Sequence, residues 1–271
     1  MDRHRLGLSA FLRPGFDLAA WISLAEQLCL GWIEVRAEPG LAYAGDLDRA
    51  ARGRARRALA DAGLRASLHA PIHDLNLASP NVRAAAVALG ELVDAVDLAA
   101  DLGAELVVFH PGGVPREYVG LPGAYEGAWR RLEYALEVAL PRAARRGVRL
   151  ALENKQRGRG RDLVITGPEH RRALDRFESL WACLDLGHLH TVGGDVAAHL
   201  EALGDRLAHV HLHDNHGERD EHLGLGQGTV PWRQGLAALA GAGYAGPVVL
   251  EIPNPDQLRA GVEAVAGHGA G

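Results

Sequence analysis

Short apolar runs recur about every thirty residues along this chain, and most of them end on a polar or charged side chain. In order they are LGLSAF (6–11), WIEVR (32–36), RASLHA (65–70), LVVFH (106–110), RLALEN (149–154), WACLDLGH (181–188), LAHVHLHD (207–214) and PVVLEI (247–252). Between them lie segments with helical spacing of apolar residues, such as 81–103 and 128–147. Several of these close on glycine just before the next run, at Gly31, Gly63, Gly103 and Gly147, where a helix is expected to stop. Eight strands alternating with helices predict a parallel sheet, and eight units of this length predict an α/β chain closed as a single (β/α)8 TIM barrel. An open doubly wound sheet would carry a glycine-rich fingerprint after its first strand, and Ser9-Ala10-Phe11-Leu12-Arg13-Pro14-Gly15 is not one. No linker or low-complexity tract divides the chain, so one domain over 1–271 is expected. KQRGRGRD (155–162) is expected to be a loop on the active face, and the GHGAG tail (267–271) to fray.

Composition narrows the partners. A net charge of −5 offers no global basic field for nucleic acid or anionic lipid. Arginine dominates the 29 basic residues, and Lys155 is the only lysine. Cys29 and Cys183 sit among apolar neighbours in sequence and are expected to be buried free thiols of a reducing compartment. The N-terminal MDRHRLGLSAF lacks the apolar run of a secretory leader. No window reaches the roughly 20 apolar residues that a bilayer span needs. A cytoplasmic protein acting on a small molecule, without membrane or nucleic acid, is the expectation. A homo-oligomer is left open.

In a barrel of this kind, function collects where strands end and βα-loops begin. The third strand is expected to end at His69, the fourth at His110 and the fifth at Glu153. The sixth is expected to end at Asp185, followed by His188, the seventh at His211 and the eighth at Glu251. The loop HLHDNHGERDEHLGLGQG (211–228) adds Asp220 and His222. One histidine at a strand end is more often a hydrogen-bonded structural residue than a ligand. Nine potential ligands from six consecutive strands change that balance. Five imidazoles and four carboxylates gathered on one rim without a cation would leave costly unpaired charge. A divalent metal removes that cost. His209 is expected deeper in the barrel, and His213 above the site, facing substrate. His190 and His216 are left open, while His4, His170, His199 and His268 are expected at the surface. Glycines 224, 226 and 228 are expected to turn the loop tightly before a helix near Thr229 and Pro231.

SLHAP (67–71), VFHPGG (108–113), LALEN (150–154), CLDLGH (183–188), HLHD (211–214), DEHLGLGQG (220–228) and VLEIP (249–253) together resemble the xylose isomerase-like, or AP endonuclease family 2, barrels. The resemblance spans nearly the whole chain. It implies a divalent cation held by Glu153, Asp185, His211 and Glu251, as in the sugar isomerases and epimerases. Endonuclease IV adds five ligands and holds three zinc ions, and those five match His69, His110, His188, Asp220 and His222.

Two kinds of chemistry follow from the resemblance. As a sugar or sugar-phosphate isomerase or epimerase, the protein would use one Mn²⁺, Mg²⁺, Co²⁺ or Zn²⁺ to ease formation of a metal-bound enediolate. Glu153 and Glu251 would remove and return the carbon-bound proton. His188 would bind substrate hydroxyls, with Arg219, His213 and Asn154 as further substrate contacts. As a zinc phosphoesterase, it would use two or three ions, which the imidazole-rich set favours. Duplex DNA is not the expected substrate, because the basic groove is missing and Ile72 stands where endonuclease IV has an aromatic wedge. A catalytically silent sugar-binding barrel is the third class, against which the complete ligand set argues. Isomerase or epimerase is the first expectation and a small-molecule metallophosphoesterase the second.

Overall fold

In chain order the strands are β1 (Leu6–Ala10), β2 (Trp32–Arg36), β3 (Arg65–His69), β4 (Leu106–Phe109), the two-residue β5 (Gly113–Val114), β6 (Arg149–Glu153), the two-residue β7 (Arg161–Asp162), β8 (Leu180–Asp185), β9 (Leu207–Leu212) and β10 (Val248–Leu250). The structure, a computed structural model, describes residues 1–268, so the last three residues of the expected tail and domain lie outside the described residues. The eight longer strands pair in parallel and close as β1–β10–β9–β8–β6–β4–β3–β2, each within one of the eight apolar runs or overlapping it. The expected barrel is what the chain forms. Nothing in this closure depends on β5 and β7, which pair antiparallel beside it, β7 being the last two residues of the expected loop 155–162.

The helices are α1 (Leu18–Gln27), α2 (Arg49–Asp61), α3 (Val82–Leu102), α4 (Ala124–Arg146), α5 (Gly167–Arg176), α6 (Leu186–Thr191), α7 (Val196–Leu203), α8 (Trp232–Gly241) and α9 (Pro255–Gly267). Short polar side chains start most of them. Asp17, Asp48, Asn81, Asp195 and Asn254 each accept a backbone N–H of the first turn. Thr166 and Glu169 form a reciprocal capping box on α5. Gly103 and Gly147 end α3 and α4 in the left-handed conformation, as expected. Gly31 does not take that role. Cys29 adopts the positive φ of 54° instead, and Gly31 is needed because a Cβ there would run into the carbonyl of His4. Placed at that turn, Cys29 is exposed, which corrects the expectation of two buried thiols; Cys183 is buried. No helix among the described residues is long and apolar enough to cross a membrane.

Alternation along the strands divides the barrel interior into two zones. Leu106, Val108, Ala151 and Cys183 pack together as a small apolar floor, separate from the larger core between strands and helices. The next residues on the same face are His110, Glu153 and Asp185. Period two therefore turns an apolar floor into a polar upper layer within one or two steps. The sixth strand ends at Asp185, as expected, and the Asp185 side chain accepts the His188 N–H at 2.7 Å and caps α6.

His170 and His199 are not at the surface. They are buried behind the barrel, with His170 Nδ1 3.3 Å from His199 Nε2 and His170 Nε2 donating to the Leu152 carbonyl at 2.9 Å. Burial holds both neutral, pushing His170 down to about 3 and His199 to about 4. In acid the unfolded chain takes protons that the folded pair refuses, so this pair's stabilisation is lost as pH falls below about 6.5. Urea denaturation at pH 7 and pH 5 should show a His170→Gln/His199→Gln variant losing less stability than the parent, by about 2 kcal/mol per imidazole. Equal losses would show that the pair does not titrate in this way.

Candidate functional site

The upper layer draws residues from all but one of the barrel strands or the loops that follow them. Its centre is His211, fully buried on β9. His211 Nδ1 lies 3.0 Å from Glu153 Oε1, 3.7 Å from Glu251 Oε2 and 3.8 Å from Asp185 Oδ2. Three carboxylates from three other strands thus face one ring nitrogen. The opposite nitrogen, Nε2, is 3.0 Å from Glu34 Oε2, which also lies 3.1 Å from His209 Nε2. Glu34 therefore orients the His211 ring and leaves its Nδ1 side to the three carboxylates.

Two further groups flank this centre. On one side, Glu153 Oε2 lies 3.2 Å from His69 Nε2 and 3.0 Å from His110 Nε2. On the other, Asp220 reaches back from the β9–α8 loop, with Oδ2 3.1 Å from His188 Nε2 and 3.2 Å from His222 Nε2. All nine expected ligands are brought together. The loop carrying Asp220 is tied down by Asp214, whose carboxylate accepts the N–H groups of Asn215, Gly226 and Val230 at 2.7–2.9 Å. Leu223 and Asp214 exchange backbone hydrogen bonds, and His222 takes a positive φ of 50°. Of the three loop glycines only Gly226 needs positive φ.

The electrostatics are dominated by buried acid. Glu34, Glu153, Asp185 and Glu251 are buried and Asp220 is half-buried; imidazoles are their main partners, with Arg36 paired to Glu251 and Lys155 beside His110. Burial by itself would raise the Glu153 carboxyl, but His211 beside it holds it well below the ordinary range. Burial resists charge on His188 and His213, yet Asp185 foremost, with Asp220, pushes them up to about 10 and about 9. His110 moves the other way, to about 3, through burial and the nearby Lys155.

Several buried atoms here have no hydrogen-bond partner: Asp185 Oδ2, Asp220 Oδ1 and His213 Nε2. Triads including His69–His110–Glu153, Asp185–His188–His213 and His213–Asp220–His222 place their donor atoms within 4.8 Å of one another. Excess carboxylate, unpartnered lone pairs and mixed imidazole and carboxylate donors fit a divalent cation.

The expected substrate contacts are placed differently. Arg219 is exposed and is not brought to the site. Asn154 is buried and spends its amide on the Asp185 backbone, donating to its carbonyl at 3.0 Å and accepting its N–H at 2.8 Å. It locks β6 to β8 rather than facing the pocket. His213 is also fully buried, 3.3 Å from both Asp185 and Asp220, among the ligands and not above them. His216 pairs with Glu221 at 2.9 Å on the outside.

Three residues of this layer were not among the expected site residues. Glu34 lies inside the second run, and Arg36 at its end is ion-paired with Glu251 at 2.5 Å, while also donating to Ser9 Oγ at 3.0 Å and stacking over Phe11. Lys155 is buried two residues past Glu153, with Nζ 3.1 Å from His110 Nδ1. The available signal was the charge pair at i and i+2 inside WIEVR, where an apolar strand should be neutral. Arg36 and Lys155 line a cavity of about 210 Å³ whose lining side chains, apart from Ile72, carry polar groups.

The model of the xylose isomerase-like TIM barrel family matches residues 22–268. An uncharacterized protein of Methanocaldococcus jannaschii is 32% identical over 192 residues, which cover 69% of this chain and 64% of that protein. A second uncharacterized protein of that organism is 32% identical over 62% of each chain. The matches thus span a little under two thirds of the length of these curated relatives. Among solved structures, a D-tagatose 3-epimerase-like protein is 25% identical and superposes with a TM-score of 0.84 over 97% of this chain and 96% of its own. A Thermus thermophilus protein soaked with ZnCl2 is 28% identical, with a TM-score of 0.72 over 98% and 100%. The sequence match and the closed eight-stranded barrel agree, and the chain belongs to the xylose isomerase-like TIM barrel family.

Proposed function

We propose that this protein is a divalent-metal-dependent isomerase or epimerase of a small sugar or sugar phosphate, working in the cytoplasm as one barrel domain over 1–271. One observation carries the reading: carboxylates from β6, β8 and the end of β10 lie 3.0–3.8 Å from His211 Nδ1. Glu153, Asp185, His211 and Glu251 would hold the cation, which when bound supplies Lewis acidity toward neighbouring carbonyl and hydroxyl oxygens. Glu153 and Glu251 both line the cavity. Burial opposes their ionisation, but His211, with Arg36 for Glu251, keeps both carboxylates ionised and able to accept a proton. One takes the carbon-bound proton adjacent to the carbonyl, and the other, after gaining a proton from solvent, delivers that proton to the carbon, so solvent hydrogen enters the product. His188, which also lines the cavity, donates to substrate hydroxyls. The small polar cavity suits a polyhydroxylated molecule better than an apolar one. The resemblance in structure to a D-tagatose 3-epimerase-like protein supports the reaction class.

A second reading is favoured by the two flanking groups, His69–His110–Glu153 and Asp220 with its histidines, which a mononuclear isomerase does not require. They would let the protein bind two or three zinc ions and act on a small phosphoester. Elemental analysis of protein purified without chelator separates the two. About one ion per chain, with solvent deuterium entering a ketose, is the expected result. Near three ions per chain, with release of phosphate from an ester, would replace it with the second reading.

A further inference from the structure

The cavity over the metal centre does not end at its own rim. A second, more open cavity of about 400 Å³ adjoins it, and the two share Ile72, His110, Lys155 and Gln156 as common wall. The outer wall of the second cavity is backbone, formed where β5 pairs with β7. Gly113 lies opposite Asp162, and a Cβ on Gly113 would come 2.6 Å from the Asp162 Cα, while one on Gly160 would strike the Val114 carbonyl. Only glycine lets these strands close, so the cleft is a built feature of the fold.

Its polar groups are of mixed kind. Lys155 is 8% exposed, and its Nζ meets the His110 ring at 3.1 Å. Lys155 is the only lysine among the 29 basic residues, and its ammonium is a compact donor that rotates to its partners. Gln156 Oε1 is buried and has no hydrogen-bond partner. Asp162 lines the same cleft, and burial raises its carboxyl while the Lys155 charge only partly offsets that. Arg159 lines the cleft as well, so two cations and one carboxylate face it; an anionic ligand would meet the Asp162 carboxylate as well as the cations, and an apolar one would leave Gln156 Oε1 stranded. Hydroxyl groups, which both donate and accept, satisfy Lys155, Gln156 and Asp162 together.

We propose that this cleft is a second sugar subsite, and that the substrate is a ketose carrying a further hydroxyl-rich unit, as a disaccharide or glycoside does. This rests on the ketose reading of the metal-proximal cavity. The test uses metal-loaded protein and follows solvent deuterium entering D-fructose, D-tagatose, isomaltulose, lactulose and fructose 6-phosphate, with calorimetric binding of each. At least one disaccharide is expected to exceed D-fructose in kcat/KM by about tenfold or more, and Asp162→Asn to remove most of that preference. Gln156→Leu serves in its place if Asp162→Asn fails to fold by circular dichroism. Fructose 6-phosphate as the preferred compound would overturn the proposal, because the cleft would then be an anion site. Equal treatment of mono- and disaccharides would overturn it too. If no ketose exchanges deuterium, the isomerase reading fails and calorimetry decides the cleft separately. Disaccharide binding weakened by either variant upholds the subsite, and binding no tighter than that of D-fructose ends it.

Discussion

Glu153→Gln is expected to cost at least about 10³-fold in kcat and to lower the metal content of the purified protein. The substitution keeps the shape of the side chain and removes its charge. In the native site that charge serves four imidazoles: His69 and His110 at one oxygen, His188 and His211 at the other, all within 3.3 Å. An amide offers one acceptor oxygen and turns an NH₂ toward rings that need an acceptor. Metal affinity should therefore fall by more than the roughly 10–100-fold typical of losing a group that only supports a ligand. Elemental analysis and deuterium exchange measure the two losses independently. A variant with native metal content and native exchange would sink the site assignment altogether.

Arg36→Met is expected to be the most destabilising substitution near the site. Arg36 sits between Glu251 and Ser9, over Phe11, and faces the buried acid layer as a fixed cation. Breaking one side of such a buried pair costs about 3–5 kcal/mol, because the remaining carboxylate stays in a low-dielectric site. For a chain of this size the midpoint of thermal unfolding should fall by on the order of 10 °C. Arg36→Lys should recover only part of this, since an ammonium cannot bridge Ser9 and Glu251 with a planar fork. A pH readout separates positioning from bulk stability. Burial raises the Glu251 carboxyl, whereas His211 and Arg36 pull it down to a net low value. Removing Arg36 raises it, so activity that needs ionised Glu251 should be lost at higher pH than in the parent, moving the acid limb of kcat/KM upward. An unchanged melting midpoint and an unmoved acid limb would together refute this role for Arg36.

Most of the barrel was readable because its signals are local. Most apolar runs have a polar terminus and most helices a cap or stop, and neither needs information from elsewhere in the chain. The misreadings occurred where local pattern and tertiary demand diverge. Cys29 has apolar neighbours in sequence, but the turn that ends α1 exposes it. His170 and His199 were expected at the surface, and the packing of α5 on α7 behind the barrel buries them.

By itself, the sequence determined the strand count, the α/β alternation and the kinds of donor delivered to one rim. Period two and the strand ends dictate all three. Which donors share a centre was decided only by closure of the barrel. Glu34 and His211 are 177 residues apart, yet their side chains meet at 3.0 Å. Arg36 reaches Glu251 across 215 residues of chain. No spacing along the chain encodes such distances, because they are set by strand register, stave order and the inward turn of each side chain. The same closure took Asn154 for a backbone clamp, buried His213 among the ligands and left Arg219 in solvent. A sequence specifies which groups are available; the shape of the closed sheet selects which of them can act together.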